Sequence, residues 1–225
     1  MEKLRQIRLI WKPLVFVLCL LPAALVIGDL FEITGKLGAN PVEAMQDRFG
    51  TWGIRFIMLT LAVTPLRKLT GWNWLARFRR MLGLFTFFYV LLHFLVWLLL
   101  EQSLYFLPWR EVSPTIIEDI TKRPYITLGF TALLLLTAMA ITSTAGMRRR
   151  LGQHWQKLHY SAYAVALLGV WHYWWQVKQG ADNAIYYAAI FAVLMGFRIY
   201  YRRKRVRPFF QKSLTPTETR TSGTS

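Results

Sequence analysis

Apolar residues gather along this chain in blocks separated by segments where charge and proline collect. Windows long enough to cross the roughly 30 Å hydrocarbon layer as helices fall at about 13–30, 52–67, 81–100, 124–142, 158–176 and 184–201. The pattern predicts an all-α integral membrane protein, a six-transmembrane-helix bundle occupying residues 1–212. The Ser/Thr-rich end, 213–225, is predicted to be a disordered tail. Lys3, Arg5, Arg8 and Lys12 ahead of the first block resemble a secretory leader. No convincing small-residue cleavage site follows and five more blocks do, so the first block is read as a retained helix.

The connecting segments predict turns and breaks. About residues 31–50 should form a first outer loop, with Gly35 and Gly38 in turns and Asn40-Pro41 initiating another. Pro65 should stop or kink the second span. A second outer segment, about 101–123, is rich in Trp, Pro and acid. It suits either an amphipathic segment on the surface or a docking face. Arg148 to Gly152 reads as a short inner turn, and no internal repeat, P-loop or GxGxxG pattern is evident.

Composition agrees with this outline. The 225 residues are 55% hydrophobic and 16% aromatic, which leaves no room for a large extramembrane domain. The net charge of +17 would point to nucleic acid in a soluble protein, but here the basic residues are sorted by loop. About 20 of the 28 Lys and Arg lie in the N-terminus, around 67–80, around 148–157 and from 202 onward, segments that share one side if six spans alternate. Those segments are expected to be cytoplasmic, with both termini inside a bacterial inner membrane. Asp29, Glu32, Glu43, Asp47, Glu101, Glu111, Glu118, Asp119 and Asp182 fall on the other side. A basic rim of this kind meets anionic lipid, and no nucleic-acid partner is expected.

Cys19 is the only cysteine, so neither disulfides nor thiolate metal sites are available and any metal must be held by histidine. His93, His159 and His172 lie within the apolar blocks, where ionisable side chains mark functional sites. His93 lies about 13 residues beyond Arg80 and His172 about 15 beyond Lys157, so on parallel spans their depths differ by only about 3 Å. They can ligate one iron from opposite sides. His159 lies about 20 Å deeper, and on a straight helix its ring would stand about 140° away from that of His172. A bend near Gly169 would be needed to align them. His154 follows the Arg148 to Arg150 run and is expected at the surface. Residue 79, about four turns below His93, is an arginine, a poor iron ligand but a good partner for haem propionates or a flavin phosphate. Helix-to-helix hydrogen bonding, worth about 1 kcal/mol, is the competing explanation for each membrane histidine.

Several segments carry a resemblance. They are Leu37-Gly38-Ala39-Asn40-Pro41-Val42, Thr64-Pro65-Leu66, Arg79-Arg80-Met81-Leu82-Gly83-Leu84 with His93, Thr121 to Tyr125, and Thr142-Ser143-Thr144 through Leu151-Gly152-Gln153-His154-Trp155-Gln156-Lys157-Leu158-His159. In their order and spacing the chain resembles the ferric-reductase-like transmembrane superfamily, and within it the haem-binding membrane subunits of periplasmic methionine-sulfoxide reductase systems. The resemblance implies one or two b haems, with flavin mononucleotide (FMN) also implied. It implies electron transfer from the respiratory quinone pool to a periplasmic molybdopterin-containing methionine sulfoxide reductase subunit that repairs oxidised proteins. The chain would then be the conduit, fed by a quinol or flavin donor, and not itself the sulfoxide-reducing catalyst. His93, His159 and His172 match the haem histidines, and Arg79 falls where the wider superfamily has a second ligand on the third span. Only a short tail follows the last block, too short for a flavin and nicotinamide domain, so electrons are expected from another molecule. Two other readings stay open: a stand-alone transmembrane ferric reductase, and a haem-free membrane scaffold or transporter.

Overall fold

The computed structural model describes residues 5–102, 106–176 and 182–212, and all regular structure among them is helical. The long helices are α1 (Ile7–Leu30), α2 (Pro41–Thr70) and α3 (Arg79–Glu101). They are followed by α4 (Trp109–Lys122) and α5 (Pro124–Ile141). Two short helices, α6 (Ala145–Leu151) and α7 (Gln153–His159), lead into α8 (Ser161–Gln176) and α9 (Asp182–Lys212). The expected tail, 213–225, lies outside the described residues.

Five helices among the described residues are long and apolar enough to cross a membrane: α1, α2, α3, α5 and, in α9, Asn183–Lys204. With the transmembrane character of its sequence this makes a multi-pass membrane protein. The fifth expected window is divided. His159 ends α7, a turn at Tyr160 intervenes, and α8 adds 16 residues, about 24 Å of helix. The break between His159 and His172 therefore lies at Tyr160, while α8 runs on through Gly169.

Two further expectations are corrected. Asn40-Pro41 starts a helix rather than a turn, so α2 takes in residues 41–50 of the expected loop. The Asn40 side chain accepts from the Glu43 N–H at 3.3 Å and donates to the Glu43 carboxylate at 3.0 Å, while Pro41 occupies the first helical position, where its missing N–H costs nothing. Pro65 does not end α2, which continues to Thr70 and stops at Gly71, whose φ of 75° suits glycine.

α2 is the central helix. Ile54, Ile57, Met58 and Leu61 pack against Ala132, Leu136, Val165, Ala166 and Leu194 of α5, α8 and α9. Another face carries Met45, Phe49 and Phe56 against Cys19, Ala23 and Val26 of α1 and Phe85 and Tyr89 of α3. A Cβ at Gly53 would meet Val90 at 2.8 Å, so α2 and α3 approach closely there. Arg55 of α2 donates from Nε to the Tyr187 hydroxyl of α9 at 3.0 Å. α4 is amphipathic, with Val112 and Ile116 packed on Trp97 and Asp119 buried beside them. That carboxylate is matched by Arg123 Nε at 2.9 Å and Gln102 Nε2 at 2.9 Å, as a buried charge requires.

Tyr89 enters the backbone of α1. Its hydroxyl donates to the Cys19 carbonyl at 2.7 Å and accepts from the Ala23 N–H at 3.1 Å, the two groups that face each other across one turn of α1. Pro22, which has no N–H to give the ladder, lies between them, and Tyr89 of a neighbouring helix adds a polar bridge at that turn. Tyr89→Phe should therefore destabilise the protein by about 1 kcal/mol. Thermal unfolding in detergent checks it, and an unchanged midpoint would rule this bridge out as a stabilising contact.

Candidate functional site

His93 on α3 and His172 on α8 face each other, with ring centroids 6.0 Å apart and planes at 86°. His93 Nδ1 donates to the Gln46 carbonyl of α2 at 2.8 Å, and His172 Nδ1 donates to the Tyr125 carbonyl of α5 at 2.8 Å. A carbonyl oxygen only accepts, so each Nδ1 carries the proton and each Nε2 keeps its lone pair. Among the described residues neither Nε2 has a hydrogen-bond partner. This tautomer, fixed by a carbonyl behind the ring, is the usual state of a metal-ligating histidine.

The spacing fits a shared ion. An imidazole nitrogen bonds a transition metal at about 2 Å and the ring centre lies about 1 Å behind it, so two rings on opposite faces of one ion stand about 6 Å apart. The observed separation matches that geometry, whereas two histidines hydrogen-bonded to each other would sit closer.

Two glycines make room for the rings. A carbonyl inside a helix already accepts from the residue four positions on, and that residue is Gly50 for Gln46 and Gly129 for Tyr125. A Cβ at Gly50 would meet His93 Nδ1 at 3.0 Å, and one at Gly129 would meet His172 Nδ1 and Cε1 at 3.1 Å. Each ring thus lies over a glycine and reaches a helical carbonyl with spare acceptor capacity. Gln46, Gly50 and His93 recur at one constant offset as Tyr125, Gly129 and His172, with donor and acceptor 47 positions apart both times. The two halves of the site are built alike, a repeat too sparse to notice in the sequence. Neither glycine was among the sequence-derived site residues. The available signal was a glycine one turn after an accepting backbone position, in an apolar helix facing a histidine.

His159 is placed elsewhere. Its Nε2 lies 3.3 Å from the Thr142 hydroxyl, and its ring stacks on Trp155 at 4.0 Å. Trp155 in turn donates from Nε1 to the Thr142 carbonyl at 2.9 Å. Arg79, at the start of α3, is near enough to act on His159 electrostatically. Among the described residues no second histidine ring stands against His159. Arg79 lines a cavity at that end of the bundle with Arg67 and Arg198. His154 is exposed and belongs to neither group.

Residues 49–170, from the Phe49 neighbouring the first ring's glycine to the Val170 two positions before His172, match the family described as "Ferric reductase like transmembrane component". A protein of Xanthomonas euvesicatoria pv. vesicatoria (strain 85-10), named protein-methionine-sulfoxide reductase heme-binding subunit MsrQ, is 42% identical over 92% of this chain and 94% of its own. Proteins of the same name from Ralstonia nicotianae and Herminiimonas arsenicoxydans are 48% and 45% identical, covering 75% and 84% of this chain and 76% and 84% of theirs. Similarity at that level runs through both helical pairs that build the histidine site, and the chain belongs to the ferric-reductase-like transmembrane family, alongside the MsrQ subunits.

Proposed function

We propose that this chain is a membrane b-haem electron-transfer subunit of a methionine sulfoxide reductase system. In this reading it takes electrons from the respiratory quinone pool and delivers them to a periplasmic molybdopterin-containing reductase. The observation that carries the reading is the His93–His172 pair: two imidazoles 6.0 Å apart, each held as the Nδ1–H tautomer by a backbone carbonyl. The relatives are named as heme-binding subunits of that system, which supports the same cofactor here. A haem supplies one-electron redox chemistry on an iron whose potential follows its axial ligands and their hydrogen bonds.

The protein's part is to fix those ligands. The Nδ1–H bonds to Gln46 and Tyr125 hold both rings in orientation and raise their basicity. Surrounding apolar side chains keep water out of the membrane half of the site. The distribution of charge supports an orientation with the Arg67, Arg79 and Arg148 end in the cytoplasm of a bacterium, six crossings counting α8, and both termini inside. His93 and His172 then lie toward the periplasmic half, where a partner protein docks. His159, paired with Thr142, offers a single imidazole at the cytoplasmic end and is the candidate for any second haem. Arg79 beside it is suited to a propionate or to the phosphate of an FMN cofactor.

Three measurements test this. The purified chain should show reducible b-type bands, lost in His93→Ala and in His172→Ala but kept at the pair in His159→Ala. Retention of those bands in both outer variants would overturn the assignment. Gly50→Ala or Gly129→Ala should push the ring off its carbonyl and weaken haem retention about tenfold or more, read by haem titration of stripped protein. Finally, haem reduced with a quinol should be reoxidised on adding the periplasmic reductase with methionine sulfoxide. Equal reoxidation by ferric ions without that partner would favour a stand-alone metal reductase.

A further inference from the structure

Among the described residues Asp119 of α4 is the only charged side chain that is buried, at 5% exposure. A carboxylate withdrawn from water is costly unless donors surround it, and the two oxygens of this one go to different helices. Oδ2 accepts from Gln102 Nε2 at 2.9 Å, and Oδ1 is paired with Arg123 Nε at 2.9 Å. Gln102 directly follows α3, the helix that carries His93. Arg123 is the single residue between α4 and α5, and α5 supplies the Tyr125 carbonyl that holds His172. One carboxylate thus joins the helix of one ring to the carbonyl behind the other.

Both arms of this clasp are short and firmly built. Gln102 stands nine positions after His93, and the last stretch between them, Trp97–Glu101, is wound as a π-helical turn with the Gln102 N–H donating to the Trp97 carbonyl at 2.9 Å. Such a turn takes one residue more than an α-helical turn and so re-aims the side chains beyond it. Trp97 is buried in the same stretch and packs on Val112 and Ile116, which seats α4 against α3. On the other arm, the Arg123 N–H donates to the Asp119 carbonyl at 3.1 Å while the Arg123 carbonyl accepts from the Ile126 N–H at 3.0 Å, so one residue closes α4 and opens α5. Pro124 restricts Arg123 to an extended backbone, with φ −104° and ψ 99°. Tyr125 comes two residues after Arg123, and its carbonyl lies 2.8 Å from His172 Nδ1. A shift of Arg123 therefore reaches the group that orients the ring through a single helical turn.

The ring planes stand at 86°, an angle set by two carbonyls on different helices. Holding those helices in register calls for an ionised carboxylate. It offers an acceptor to both donors, whereas an asparagine would turn an NH2 toward one of them and a guanidinium has no acceptor to give in return.

We propose that Asp119 is a positioning residue for the histidine pair, setting through Gln102 and Arg123 the angle and separation of the His93 and His172 rings. The proposal rests on the reading of that pair as haem ligands, and Asp119 acts through its two partners. The test compares D119N, D119E and Y89F in the full chain in detergent. Y89F loosens the bundle at α1 and controls for lost stability alone. Electron paramagnetic resonance of the ferric haem reads the angle between its axial rings. D119N is expected to move that signal and to weaken haem retention about tenfold. D119E keeps the charge and both acceptors and should return the signal toward that of the unaltered chain, and Y89F should leave it unmoved. Gln102→Leu cuts one arm while keeping the ion pair, so the same movement of the signal is expected there, and it keeps the test readable should D119N fail to fold. The 15N-histidine resonances of the haem-free chain give a reading without iron: D119N should shift the His172 resonance, identified by its absence in His172→Ala. An unmoved ring signal in D119N and Gln102→Leu, or an equal movement in Y89F, would overturn the proposal. A chain that binds no haem yet shows the His172 shift sinks the conduit reading and upholds this one.

Discussion

An imidazole inside a bilayer has two ring nitrogens to satisfy and almost no water to do it, and the arrangement of the bundle follows from how this chain answers that demand. Each ring gives its Nδ1 proton to a helical carbonyl and stands with its centre 6.0 Å from that of its counterpart. Such a carbonyl is reachable only where the next turn has no side chain, which places Gly50 and Gly129 under the rings. Gln46 must in turn lie inside a helix, so α2 has to begin well before its apolar block, at the Asn40 cap and Pro41. Tyr125 lies in the first turn of α5, behind Pro124 and behind Arg123, which Asp119 of α4 holds. The surface helix α4 is thus tied, through one buried carboxylate, to the carbonyl that orients His172.

The sequence disclosed those parts of the fold that depend on bulk hydropathy and on rise per residue. Apolar block length predicts membrane helices, and equal distance from the basic ends predicts that His93 and His172 stand at one level. What it withheld depends on particular contacts. Asn-Pro is a turn signal and also a helix-start signal, and only the reciprocal bonds between Asn40 and Glu43 decide between them. Pro65 is expected to stop or kink the helix, but α2 runs on through it to Thr70, with Pro65 itself buried. Tyr89 is one of many aromatic residues in the chain, and nothing in the sequence marks its hydroxyl as the group that bridges the Cys19 carbonyl and the Ala23 N–H of α1. Gly50 and Gly129 carried no signal alone, because a glycine's importance here lies in what rests on it.

The two ends of the bundle differ in kind. At the His93–His172 level the polar groups are neutral, matched one to one with backbone carbonyls, and surrounded by apolar packing. At the other end three arginines meet without a counterion, and His159 is occupied by Thr142 and Trp155. Neutral donors with a free lone pair suit a metal, and unpaired guanidinium groups suit an anion.

Arg79 links these two chemistries. It stands about four turns from His93 on the same helix, at the basic end of the bundle. An arginine stays protonated and is a poor iron ligand, and its charge adds to the arginine-lined cavity at that end. The gap left on α3 between residues 79 and 93 is about 21 Å. In the electron-transfer reading proposed above, that distance has to be crossed within the bundle by any electron that enters at the basic end.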